Sequence, residues 1–244
     1  MMLLVDIGNS QIKWQESDYF TDAPRSFAYD AESIHFQLDT NLKSCTSIDG
    51  GVVIVSVGCE EINRKVEKWF IEQCEAEVQF LSSATKWGTL RNGYDKPETL
   101  GVDRWYALVG AASRYTYPFM VCDIGSAVTI DLVDHQGSHL GGFITPGLDM
   151  MTHSLNTTAG INIDSLSSKS RSLAIPSNTQ TAIKEGCMQS VTALIDSVKR
   201  KYASGFDCIL TGGHAEVIFD LLESTATIDK NLIFYGILSE IQNR

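Results

Sequence analysis

One design occurs twice in this chain: a short apolar run, an Asp-x-Gly turn, and an alternating apolar segment that doubles back. The first copy spans residues 2–14 (MLLVDIGNSQIKW) and the second residues 119–131 (FMVCDIGSAVTID), so that Asp6 matches Asp123 and Gly8 matches Gly125. A strand ending in Asp-x-Gly presents a carboxylate to a cation. The glycine lets backbone N–H groups approach a phosphate with no Cβ in the way. A single Asp-x-Gly is an ordinary turn more often than not. Duplication, one copy in each half, is what carries the signal. Two such hairpins predict a nucleoside triphosphate and its metal gripped from opposite sides of a cleft.

The segments between the copies read as α/β. The β-branched run at residues 51–58 (GVVIVSVG) suits a strand buried on both faces. Residues 60–77 then place Ile62, Val66, Trp69, Phe70 and Cys74 at helical spacing, and 78–81 form a short strand. That order predicts parallel pairing. Residues 89–99 read as a loop and 102–115 as a helix rich in small residues. After the second hairpin come a Gly-rich segment at 141–147, a helix from Leu148, a Ser- and Asn-rich loop at 160–178, and a long helix at 179–202 with Asn178 as its N-cap. A strand at 206–210 runs into Thr211-Gly-Gly-His-Ala215 and another helix, and 233–241 close the chain as a helix. The polar stretch at 19–49 shows no clear pattern. The expectation is two related α/β domains, 1–116 and 117–244, with ligands at the carboxyl ends of the strands.

Composition narrows the function classes. The chain has 244 residues, 19 basic against 30 acidic, and a net charge of −11. No Lys/Arg stripe is present to follow a nucleic-acid backbone. Cys45, Cys59, Cys74, Cys122, Cys187 and Cys208 are scattered without metal-ligand spacing and read as reduced, buried thiols of a cytoplasmic protein. No apolar run approaches the ~20 residues that cross a bilayer. The N-terminal run is short and lacks a basic flank, so it reads as a first strand and not a signal peptide.

Four constellations carry the chemistry. Asp6, Gly8, Asn9, Ser10 and Lys13 match what a bound triphosphate needs: a carboxylate for Mg²⁺, hydrogen-bond donors for phosphate oxygens and a nearby cation. Asp123, Gly125 and Ser126 repeat the arrangement, and Asp123 reads either as a cation ligand or as a turn cap. The paired glycines at 212 and 213 would let a purine lie flat on the backbone, although strand–Gly–helix turns are common. Gly101, Val102, Asp103 and Arg104 open a helix. There a carboxylate can accept a hydroxyl proton and an Arg can hold an anionic substrate. The same Asp103 also fits an ordinary first-turn residue that complements the helix dipole.

In combination these motifs resemble the type III pantothenate kinases. The matching stretches are DIGNSQIKW, Tyr94 with LGVDRW, DIGSAVTID, GGFITPG, Thr179-x-x-Ala182 and TGGHA, in the family's order across nearly the whole chain. The resemblance implies two duplicated actin-like (ribonuclease H-like) α/β domains around a nucleotide cleft. It implies transfer of the ATP γ-phosphoryl group to pantothenate, giving 4′-phosphopantothenate for coenzyme A synthesis. Asp6, Ile7, Gly8, Asn9, Ser10, Gln11, Ile12 and Lys13 would bind ATP, with Asp6 on Mg²⁺ and Ser126 also touching ATP. Tyr94, Gly101, Val102, Asp103 and Arg104 would surround pantothenate, with Asp103 as proton acceptor. Asp123 would coordinate a monovalent cation, K⁺ or NH₄⁺. The family's homodimers complete the pantothenate site across the interface, which would place Thr179 in trans. Three departures stand out: Ser126 and Ser10 replace the family's usual Thr, and residues 160–163 read GINI where a Leu-Pro pair is usual. Other readings are a sugar or acetate kinase or phosphohydrolase of the same superfamily, and a non-catalytic regulatory protein.

Overall fold

Each Asp-x-Gly motif ends the central strand of a five-stranded sheet. The computed structural model describes residues 1–20, 23–42, 48–159 and 175–243. The first sheet is built from β1 (Leu3–Ile7), β2 (Gln11–Glu16), β3 (Arg25–Ala28), β4 (Val52–Ser56) and β5 (Val78–Phe80), with α1 (Ile34–Leu42) before β4 and α2 (Glu60–Cys74) after it. A small hairpin, β6 (Lys86–Trp87) with β7 (Leu90–Arg91), and a 3-10 turn (Pro97–Thr99) lead to α3 (Val102–Arg114). The second sheet takes β8 (Phe119–Ile124), β9 (Ala127–Val133), β10 (His139–Pro146), β11 (Asp207–Thr211) and β12 (Thr227–Ile228). Its helices are α4 (Leu148–Ala159), α5 (Thr179–Tyr202) and α6 (Ala215–Phe219), and α7 (Leu232–Gln242) closes the chain.

The strand orders are β3-β2-β1-β4-β5 and β10-β9-β8-β11-β12. In the first, β1 runs antiparallel to β2 and parallel to β4; in the second, β8 runs antiparallel to β9 and parallel to β11. The two sheets therefore share one topology, the expected duplicated α/β architecture. The predicted parallel pairing of β4 with β5 is also present.

In the first unit, Leu3, Val5 and Ile7 of β1 face a core that includes Ile62, Val66, Trp69 and Phe70 of α2, the side chains the helical spacing had picked out. Each such fully buried side chain contributes about 1.5–3 kcal/mol. Trp69 Nε1 donates to Asp39 Oδ1 at 2.7 Å, which ties α2 to α1. In the second unit, Met120, Cys122 and Ile124 of β8 pack with Val191, Ile195 and Val198 of α5. The Asn178 side chain accepts from Thr181 N, as its N-cap reading requires.

Several expectations change. The compact units are Met1–Tyr115 with Asn231–Arg244, and Thr116–Lys230. The closing helix thus groups with the first unit and not with the domain expected to run to residue 244. The reason lies in two glycines: Gly110 on α3 and Gly236 on α7 let the helix backbones meet directly, since a Cβ on either would strike a carbonyl of the other helix. The Gly-rich 141–147 segment is largely strand β10. Gly142 is needed there because a Cβ would run into the Ile130 carbonyl and the Asp131 carboxylate of β9, and Gly141 (φ +99°) sits at a register shift. The featureless 19–49 stretch holds β3 and α1, and the 89–99 loop includes β7 and the 3-10 turn. Cys59 is exposed, whereas Cys122, Cys187 and Cys208 are buried as expected. Cys45, the 160–163 departure and most of the expected 160–178 loop lie outside the described residues. No helix among the described residues is long and apolar enough to cross a membrane.

Candidate active site

Asp6 is the penultimate residue of β1 and only 4% exposed. Antiparallel register sets it opposite Lys13 of β2, and directly opposed residues project from the same face of a sheet. Strand pairing thus puts Lys13 beside Asp6. Gly8 N donates to the Gln11 carbonyl at 3.0 Å, closing a turn whose Asn9 and Ser10 are exposed. Ile7 and Ile12 are fully buried and pair across the hairpin, so their side chains anchor the turn in the core; Gln11 is exposed. A single carboxylate beside exposed donors suits Mg²⁺, which usually keeps several waters and takes its remaining ligands from substrate phosphates. Among the described residues no group of three or more His, Cys, Asp or Glu side chains forms a metal cage.

The second constellation of this unit forms around the start of α3. Gly101 precedes the helix, and its carbonyl accepts from Trp105 N at 2.9 Å. A Cβ on Gly101 would stand 2.6 Å from Asp103 Oδ1, so the glycine makes room for that carboxylate. Asp103 Oδ1 accepts from Arg104 N at 2.7 Å, which holds the acid at the positive end of the helix. Arg104 is 7% exposed, and its Nη1 donates to the Tyr94 hydroxyl at 2.9 Å with the guanidinium 5.6 Å from the Tyr94 ring centroid. An acid, a buried cation and a phenol are therefore assembled at one loop–helix junction. Val102 is the first residue of α3 and half-buried.

Asn92 organises this loop and was missed from sequence. Its Oδ1 accepts from Tyr94 N at 3.0 Å, while Nδ2 donates to the Ala84 and Pro97 carbonyls, each at 3.1 Å. One side chain thus fixes the backbone of Tyr94 and the turn leading to α3. An Asn followed by Gly was the available signal, since Asn side chains readily mimic turn backbone.

In the second unit, Asp123 occupies the position on β8 that Asp6 has on β1. Glycines surround it. A Cβ on Gly125 would lie 3.3 Å from Asp123 Oδ1, and one on Gly212 would collide with that carboxylate and with the Ile124 carbonyl. Gly212 has φ +93°, a conformation suited to glycine, and His214 N donates to the Ile124 carbonyl at 3.0 Å. Gly212 thus stands directly against the Asp123 carboxylate, a part that a flat seat for a purine does not call for. On the opposite side Gly147 N donates to the Ser126 carbonyl at 3.0 Å, and a Cβ there would strike the Gly125 and Ser126 carbonyls. The Gly125–Ser126 turn is thus held by two other motifs, and Ser126 remains exposed. Glycine backbone and the Ile124 carbonyl thus crowd close around the Asp123 carboxylate.

Thr179, the first residue of α5, is exposed. It lines a cavity of about 720 Å³ together with Pro146, Met150, Leu155 and Ile183. Pro146 directly precedes Gly147, whose N–H holds the Ser126 carbonyl, so this cavity borders the residue that braces the Gly125–Ser126 turn.

A family model described as type III pantothenate kinase matches residues 2–201. A type III pantothenate kinase of Nitrosococcus oceani is 34% identical over an alignment covering 97% of this chain and 92% of its own. One from Cellvibrio japonicus is 32% identical, covering 97% and 95%. Among solved structures, a conserved Baf family transcriptional activator from Campylobacter jejuni superposes with a TM-score of 0.63 at 23% identity, covering 99% of this chain and 100% of its own. That likeness speaks to fold alone.

Proposed function

The chain belongs to the type III pantothenate kinase family, and on that premise we propose how its residues divide the work. The reaction is ATP-dependent phosphorylation of pantothenate to 4′-phosphopantothenate, in coenzyme A synthesis. As in other ATP-dependent kinases, a divalent metal accompanies the nucleotide and neutralises phosphate charge.

In our reading Asp6, Ile7, Gly8, Asn9, Ser10, Gln11, Ile12 and Lys13 hold the ATP phosphates, with Asp6 toward Mg²⁺. The buried carboxylate beside an exposed, donor-rich turn supports this. Ser126 adds a second contact to ATP. Tyr94, Gly101, Val102 and Arg104 seat pantothenate, its carboxylate meeting the Arg104 guanidinium. Asp103 accepts the proton of the primary hydroxyl as that oxygen bonds to the γ-phosphorus and the bond to the bridging oxygen of ADP breaks. Phosphoryl transfer passes through a loose transition state, so placement matters more than base strength. The observation that carries the assignment is the junction at α3. There the Gly101 gap admits the Asp103 carboxylate, and Arg104 is locked against Tyr94.

Asp123 coordinates K⁺ or NH₄⁺ in the glycine-walled pocket. The active form is a cytoplasmic homodimer in which Thr179 reaches the partner's pantothenate. Exposed Met150 and Leu155 beside the Thr179 cavity support an apolar contact with a second copy.

The test is ADP release with ATP, Mg²⁺ and pantothenate, in K⁺ or in Na⁺, for the wild type and Asp103→Asn. Loss of the proton acceptor lowers kcat by about 10²–10⁴-fold while KM for ATP stays near normal. Wild-type turnover in Asp103→Asn removes that residue from the mechanism. Turnover indifferent to K⁺ removes the cation role of Asp123.

A further inference from the structure

The 8–11 turn is gripped from outside by a residue that no motif pointed to. Chain returning along β2 through β3 brings Tyr29 alongside, and its backbone N–H donates to the Ser10 carbonyl at 3.3 Å. Its hydroxyl donates to the Gly8 carbonyl at 2.5 Å. Main chain and side chain of one residue thus hold both flanks of the turn. Gly58 completes the seat: a Cβ there would stand 3.0 Å from Ile7 Cγ2 and 3.4 Å from the Tyr29 hydroxyl. Burial, then the neighbouring Cys59 and Asp6, push the phenol above its ordinary range, so it stays protonated and donating at neutral pH.

In a planar trans peptide the carbonyl and the following N–H point in opposite directions. The hydroxyl that holds the Gly8 carbonyl therefore also sets the direction of the Asn9 N–H, aiming it away from Tyr29. We propose that Tyr29 is a positioning residue of this kinase, orienting the backbone donors of the 8–11 turn toward the ATP phosphates. The proposal rests on the reading of that turn as a phosphate contact. It adds a residue from the β3 side whose effect reaches ATP only through the turn.

Tyr29→Phe keeps the ring and removes the hydroxyl, and Ser10→Ala probes the turn itself. The expected result for Tyr29→Phe is a KM for ATP raised about 5–10-fold, the scale of one hydrogen bond. KM for pantothenate and the melting temperature stay near wild type. If Ser10→Ala raises KM for ATP and Tyr29→Phe does not, the positioning role is overturned while the turn remains a phosphate contact. If neither variant moves KM for ATP, both readings fail. A Tyr29→Phe protein that melts lower and loses kcat and both KM values alike reveals a general structural role, which also overturns the proposal.

Discussion

Gly236→Ala separates packing from helix propensity by the sign of its effect. Alanine is the better helix former by about 1 kcal/mol, so propensity alone makes the variant more stable. The packing of α3 on α7 demands the reverse. A Cβ on Gly236 would strike the Tyr106 carbonyl and lie 3.0 Å from Gly110 N; one on Gly110 would strike the Leu232 carbonyl and lie 3.1 Å from Gly236 N. Ordinary non-bonded contact is about 3.5–4.0 Å, so the helices must part by roughly 1 Å or more. Overpacking of this kind costs about 1–3 kcal/mol. The obstacles here are backbone carbonyls that cannot swing aside, which favours the upper figure. Offsetting about 1 kcal/mol of propensity leaves a net loss of about 2 kcal/mol. At about 2–4 °C per kcal/mol for a chain of this size, calorimetry should show the melting temperature fall by about 4–8 °C. Gly110→Ala opens the same gap, so the double variant should lose less than the sum of the two. A Gly236→Ala protein that melts at or above the wild type, or strictly additive losses, refutes the direct backbone contact.

Two further variants test the site. Tyr94→Phe removes the oxygen that the buried Arg104 meets at 2.9 Å; KM for pantothenate should rise about tenfold, as for a charge-assisted hydrogen bond, with KM for ATP nearly unchanged. An equal rise in both would show that the pair stabilises the fold and not the substrate. Gly212→Ala drives a methyl group into the Asp123 carboxylate at a backbone angle of φ +93°. The methyl group must displace that carboxylate, and the K⁺ concentration for half-maximal activity should rise by about tenfold, equivalent to ~1.4 kcal/mol of lost coordination. An unaltered K⁺ response would detach Asp123 from cation binding.

What could be read from sequence followed from periodicity and repetition. The duplicated hairpin placed Asp6 and Asp123 at equivalent strand ends, and helical spacing identified the buried face of α2. What escaped were features settled by distant neighbours. Residues 141 and 142 read only as a Gly-rich segment until β9 is beside them, where Ile130 and Asp131 leave no room for a side chain at 142. The four residues of β3 and the weakly patterned α1 show too little alternation to register alone. Asn92 and Tyr29 act through backbone carbonyls, which carry no residue-type signature, so neither joins a motif. The placement of α7 rests on Gly110 matching Gly236 across a long sequence separation.

That last contact bears on synthesis. The first unit is interrupted: Thr116–Lys230 must leave the ribosome before Asn231–Arg244 can return to α3. At about 5–20 residues per second the delay is on the order of ten seconds. Meanwhile the N-terminal sheet has its α2 side available, but the bare backbone face around Gly110 has nothing to cover it. The second unit, being continuous, can finish first. The helix that begins with Val102, Asp103 and Arg104 gains its packing against α7 only when the final segment docks, so a nascent chain can be largely folded while that junction is still unsupported.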